Sequence, residues 1–268
     1  MKLQTQWITI EDQGLPMSAY QAKGERQSEG APAILVIQEI WGPDEHIQDM
    51  ANRYAEAGYL ALAPDLYSKG GRPAALAFDR IEAVKRFFDT LPQQAWMDEN
   101  LRQQYLNAYP DDEARDLKET YTMLFSRRDP DQMAKDLARW VDYLKSQGHD
   151  VASVGYCMGG ALAFQLATLV PDLKGAVCNY GVAPDPQAMA HIQCPVKGFY
   201  GGEDHRITDQ VPEVAKTMAA LGKEYDYTIY PGAGHAFFND TRASYAPDAA
   251  RDTWAKTLAF FDEVFAKK

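Results

Sequence analysis

The sequence predicts an α/β fold: a mostly parallel central sheet covered by helices on both faces. Three observations predict it. Short apolar runs alternate with amphipathic helical stretches over most of the chain, as in βα units that share one sheet. Ala33–Ile37 is apolar throughout, which suits a strand buried on both faces. The glycine-framed stretch Gly155–Gly159 falls where a strand gives way to a helix.

Taken in order, Gln6–Ile10 and Met17–Ala22 read as two short strands joined by a turn over Asp12–Leu15. Ala33–Ile37 follows as a buried strand. Pro43 and Asp44 open a helix whose Ile47, Met50, Ala51, Tyr54 and Ala55 share one face, and Gly58 ends it. Tyr59–Ala63 is the next strand. From Ser68 to Arg128 the pattern changes to helices without a strand between them, over Leu76–Thr90, Met97–Tyr105 and Asp112–Ser126. This segment, 68–128, is expected to be a helical cap inserted into one α/β domain that spans 1–268. Alternation then resumes: helix Asp131–Gln147, strand Val151–Tyr156, helix Met158–Leu169, and strands Lys174–Tyr180 and Pro195–Tyr200. Helix Val211–Leu221, strand Tyr225–Tyr230 and helix Ala249–Phe265 complete it.

The chain has 268 residues, enough for a full core without disulfides. Lys plus Arg total 27 against 38 Asp plus Glu, a formal charge of −11, which argues against a nucleic-acid partner. No apolar stretch approaches the roughly 20 residues of a membrane span, and the N-terminal stretch lacks the apolar run of a signal peptide. Three widely spaced cysteines fit reduced thiols in a cytoplasmic protein. No histidine pair has helical metal-ligand spacing and no C-x-x-C occurs, so neither a metal nor another cofactor is expected. The expected assembly is a monomer or small homo-oligomer, with no membrane partner.

Gly155-Tyr156-Cys157-Met158-Gly159 has the form G-x-nucleophile-x-G, with cysteine where serine is common. A turn this tight requires small flanking residues. It exposes the nucleophile at a helix N-terminus, where free N–H groups favour a thiolate or a developing oxyanion. Two loops at the ends of later strands supply partners in the chain order nucleophile, acid, histidine: Gly201–His205 and Pro231–His235. Asp204 would orient His235, and His235 would accept the Cys157 proton. Glu203 is the alternative acid. His46, His149 and His191 read as surface residues, while Cys178 and Cys194 read as structural thiols.

Together these segments resemble the dienelactone hydrolase family. The similarity rests on Val36–Gly42 (VIQEIWG), Ala63–Tyr67 (APDLY), Gly155–Phe164 (GYCMGGALAF), Gly201–His205 and Gly232–His235. The resemblance implies the α/β-hydrolase fold and a small-molecule ester or lactone substrate. It implies an oxyanion hole from the backbone N–H groups of Ile40 and Met158, and a Glu39 that contacts the resting thiol and helps generate the thiolate. Trp41, Tyr67, Arg206, Phe237 and Asn239 are then candidate pocket residues. Asn239 stands where the family places an arginine for the substrate carboxylate, with Arg206 or Arg242 as possible substitutes. The expected activity is cysteine-dependent hydrolysis of lactones or activated esters through an acyl-enzyme. An acyltransferase using the same three residues and a non-catalytic ligand-binding protein are the alternatives.

Overall fold

The computed structural model describes residues 2–28, 30–96 and 98–267. In chain order the elements are β1 (Leu3–Asp12), β2 (Leu15–Gly24), β3 (Ala33–Ile37), α1 (Glu45–Glu56) and β4 (Leu60–Pro64). Next come α2 (Phe78–Asp89), α3 (Glu99–Leu106), α4 (Asp111–Ser126), α5 (Pro130–Ser146), β5 (Val151–Tyr156) and α6 (Met158–Leu169). The chain closes with β6 (Ala176–Asn179), α7 (Pro186–Met189), β7 (Val196–Gly201), α8 (His205–Thr208), α9 (Val211–Ala220), β8 (Tyr225–Tyr230) and α10 (Pro247–Ala266). The expected helix start at Met97 lies outside the described residues; α3 begins at Glu99.

The eight strands form one sheet in the order β1-β2-β4-β3-β5-β6-β7-β8. From β4 to β8 every neighbour is parallel, while β2 runs antiparallel to both β1 and β4. The predicted α/β-hydrolase fold is therefore the observed one. Side-chain alternation in β3 explains why its whole run is apolar. Leu35 and Ile37 join the core on one face with Leu137, Trp140 and Leu162. Ile34 and Val36 join the core on the other face with Ile47, Tyr54, Val154 and Phe261. Each such large side chain contributes about 1.5–3 kcal/mol on burial.

Side-chain caps set the starts of the helices. Asp44 accepts from the Ile47 N–H at 3.1 Å and so caps α1. Its other oxygen pairs with Lys85 of α2 at 2.8 Å, which ties α2 to the start of α1. Asp129 caps α5 in the same way, with Pro130 at the first helical position. The inserted helices pack on the C-terminal end of β3: Trp41 meets Phe88 of α2 and Phe125 of α4 edge-on, at centroid distances of 6.2 and 6.1 Å. Among the described residues no helix is long and apolar enough to cross a membrane.

Candidate functional site

The β5–α6 turn is built by glycines. A Cβ on Gly155 would lie 1.8 Å from the Gly159 carbonyl oxygen, and one on Gly159 would lie 2.3 Å from that of Ile37. No larger residue fits either place without moving backbone. Between them Cys157 adopts φ 57°, ψ −116°, a conformation that costs a non-glycine residue about 1–3 kcal/mol. Three backbone hydrogen bonds hold it there. Its N–H donates to Asn179 O (3.0 Å), and its carbonyl accepts from Gly160 N (3.0 Å) and Ala161 N (3.2 Å). The thiol is thereby lifted off the sheet at the N-terminus of α6. Among the described residues neither the Met158 nor the Ile40 amide donates a backbone hydrogen bond.

The loops after β7 and β8 bring Asp204 and His235 to this thiol. His235 Nε2 lies 3.2 Å from Cys157 Sγ, and Nδ1 donates to Asp204 Oδ2 at 2.6 Å. The two loops are joined to each other: Gly202 N donates to Tyr230 O at 2.8 Å, and Glu203 N donates to Ala233 O at 2.9 Å. Gly201 allows the approach, since a Cβ there would lie 2.5 Å from Ala233 O. Glu203 is exposed, and His205 turns to Asp209 at 3.2 Å rather than back to Asp204. Burial alone would lower the affinity of His235 for its proton. The negative charge of the Cys157 thiolate and the bond to Asp204 outweigh burial, and the imidazole is raised to about 10. The His235 side chain is 35% exposed, so the site is open to solvent.

Glu39 lies two residues beyond β3 and is 3% exposed. Its carboxylate accepts from Tyr180 Oη at 3.3 Å and from Asn239 Nδ2 at 2.9 Å. Among the described residues the thiol contact expected of it is absent, and the Cys157 sulfur is bonded to His235 instead. Asn239 is fully buried against Glu39, and Phe237, also fully buried, packs between Tyr180 and Tyr230. The turn after His235 folds inward beneath the histidine and carries both residues with it. Arg206 is exposed on α8, and among the described residues no side-chain hydrogen bond or ion pair links it to Cys157, His235 or Asp204. Trp41 and Tyr67 are buried where the inserted helices meet the sheet, and the Tyr67 hydroxyl donates to Ile40 O at 2.7 Å. Arg242 pairs with Asp89 of α2 at 2.8 Å and lies over the Trp41 and Trp96 rings.

His46, expected at the surface, is 1% exposed and meets the Tyr156 ring edge-on, because the first turn of α1 packs inward. His149 is half-buried and bonded through Nδ1 to Ala31 O at 2.7 Å. Tyr180 escaped the sequence reading. Its ring lies edge-on to His235 at 5.2 Å, and it adopts φ 41° just beyond β6. The signal was an aromatic residue directly after an apolar strand and directly before Gly181. All three thiols are free. Among the described residues no cluster of three or more His, Cys, Asp or Glu could hold a metal ion.

The profile of the dienelactone hydrolase family matches residues 17–265. A protein of Saccharolobus solfataricus, described as a candidate carboxymethylenebutenolidase, is 38% identical over 87% of this chain and 89% of its own length. An Escherichia coli K12 protein with the same description is 28% identical, covering 98% of this chain and 88% of that protein. The crystal structure of a candidate dienelactone hydrolase from Klebsiella pneumoniae superposes with a TM-score of 0.73 at 28% identity, over 98% of this chain and 99% of that one.

Proposed function

Because the chain belongs to the dienelactone hydrolase family, and is accordingly a hydrolase of ester or lactone bonds, we propose that it acts through an acyl-enzyme on Cys157. The observation that carries this reading is the line of contacts from Asp204 Oδ2 through His235 to Cys157 Sγ, 2.6 and 3.2 Å long, ending on a strained strand-to-helix turn. The Cys157 thiolate adds to the substrate carbonyl, and its oxygen takes the negative charge between the Ile40 and Met158 N–H groups. The C–O bond breaks, His235 delivers its proton to the departing oxygen, and a thioester remains on Cys157. His235 then takes a proton from water, the hydroxide adds to the thioester, and the carboxylic acid leaves as Cys157 regains its thiolate.

Leaving-group chemistry narrows the substrate. A thiolate is itself a good leaving group, so the tetrahedral adduct proceeds only when the alkoxide departs with comparable ease. Enol lactones and aryl esters meet that condition, and simple alkyl esters do not. Small-molecule esters or lactones of this kind are the proposed substrates, and the inserted helices seated on Trp41 are the proposed cap over them.

The test is turnover of an activated aryl ester, with mass spectrometry of protein quenched during the reaction. The expected result is an acyl adduct on the peptide that contains Cys157, and loss of on the order of 10³-fold or more in kcat/KM for Cys157→Ala. Near wild-type turnover by Cys157→Ala would overturn the reading. Adding an alcohol or amine acceptor separates hydrolysis from acyl transfer.

A further inference from the structure

We propose that Tyr180 and Asn239 are positioning residues that clamp Glu39 away from Cys157, so that the thiol is paired with His235 before any substrate arrives. This rests on the reading of Cys157 as the nucleophile.

Both oxygens of Glu39 are occupied, Oε1 by the Tyr180 hydroxyl and Oε2 by the Asn239 amide. Among the described residues no lysine, arginine or histidine forms an ion pair with it, so neutral donors alone hold a carboxylate that is 3% exposed. The direction of the Asn239 amide is determined by its surroundings. Its Oδ1 accepts from Thr241 N at 3.0 Å and from Thr241 Oγ1 at 2.7 Å, and a flipped amide would set its NH2 against a backbone donor. Nδ2 therefore points to Glu39. The same turn presents His235, since Asn239 N donates back to Ala236 O at 3.0 Å.

Tyr180 closes the clamp from β6. Its N–H donates to Phe199 O at 2.8 Å, its ring edges onto His235, and its hydroxyl reaches Glu39. Burial, and then the negative charges of Glu39 and Cys157, push the Tyr180 hydroxyl far above the usual tyrosine range, so it remains a proton donor. The titratable groups around Cys157 are His235 with Asp204 behind it, Glu39 and Tyr180 from the sheet, and Tyr67 beside Ile40. Of these Glu39 is the acceptor that could take the place of His235 on the thiol hydrogen. With both carboxylate oxygens engaged, that competition is removed. Arming the nucleophile then requires no movement of Glu39 by a substrate.

The test is the pH profile of iodoacetamide alkylation at Cys157, read by peptide mass spectrometry on the full chain without substrate. It compares wild type, Tyr180→Phe, Thr241→Val and Asn239→Ala, each with and without Glu39→Gln. Wild type should alkylate rapidly at neutral pH. Each clamp variant should slow by about tenfold, the scale of one lost hydrogen bond to a charged group, and its profile should move to higher pH. Glu39→Gln should restore the rate. Tyr180→Phe keeps the ring on His235, so a purely structural role predicts no change from it. Thr241 is exposed, so Thr241→Val reports on the clamp even if Asn239→Ala does not fold. Wild-type profiles in Tyr180→Phe and Thr241→Val, or slowing that persists with Glu39→Gln, would overturn the clamp alone. A wild-type Cys157 no faster than a small free thiol would overturn the nucleophile assignment as well.

Discussion

Cys157 and Cys178 stand on neighbouring parallel strands, and Gly155 at the end of β5 pairs with Cys178 in β6. Their surroundings differ completely. Cys178 is fully buried, its sulfur donates to Gly181 O at 3.5 Å, and burial pushes the thiol up to about 11. Cys157 lies two residues beyond its own strand's pairing glycine, partly open to solvent, with an imidazole nitrogen 3.2 Å away. The difference teaches that position relative to the strand end, more than residue type, decides whether a thiol can react. Inside the strand a cysteine is a small apolar residue; one turn later it meets free N–H groups and a base.

The largest expected effect is in labelling. A thiol raised to about 11 from an ordinary 9.0 holds roughly 100-fold less thiolate at neutral pH, and Cys178 must also wait for the core to open. Alkylation of native protein should mark Cys157 at least about 10³-fold faster than Cys178 or Cys194, with activity falling in step. Inactivation that follows Cys178 or Cys194 would erase the contrast. A smaller effect is expected where the turn itself is disturbed. Gly159→Ala sets a Cβ against the Ile37 and Gln38 carbonyls and moves the end of β3 that carries Ile40. It should cost about 1–3 kcal/mol in stability and about 100-fold in kcat, measured by denaturant unfolding and steady-state kinetics. Wild-type kcat in this variant would show that the turn tolerates a side chain.

The smallest effect concerns the proton. Because the folded His235 is raised from 6.5 to about 10, the stability it contributes is complete below about 6.5 and declines as pH rises through about 10. Nitrogen-15 NMR of the ring should therefore find a cation at neutral pH in wild type. In Cys157→Ala, which removes the opposing charge, it should find a ring that titrates lower. Identical titration in the two proteins would place the cause of the shift elsewhere.

Much of this site was legible in the sequence because its backbone demands are severe. Only glycine fits at 155 and 159, so the turn announces itself. Asp204 and His235 follow two adjacent parallel strands, β7 and β8, whose C-terminal ends lie side by side. The continuous apolar runs of β3 and β4 were equally plain, since burial on two faces disfavours polar residues. What was misread depends on which way a loop folds. Asn239 and Phe237 were expected in the pocket, but the turn at Ala236, with φ 58°, takes them beneath it. A side chain at 239 facing Glu39 is therefore a support for that carboxylate. His46 stands in the first turn of a helix, where a polar residue is commonly solvated, yet that turn of α1 packs inward against Tyr156. Arg206 carries charge near the acid and faces water, which no local pattern could reveal.

The hydrogen bonds that join the β7 and β8 loops have a mechanical consequence. Asp204 and His235 hang from adjacent strands at one side of the sheet and are bridged by Gly202 and Glu203, whereas Cys157 is anchored to β6 near the middle. The 2.6 Å contact between acid and base thus lies within one pair of loops that are tied to each other, whereas the 3.2 Å contact to sulfur spans from those loops to a turn held on another strand.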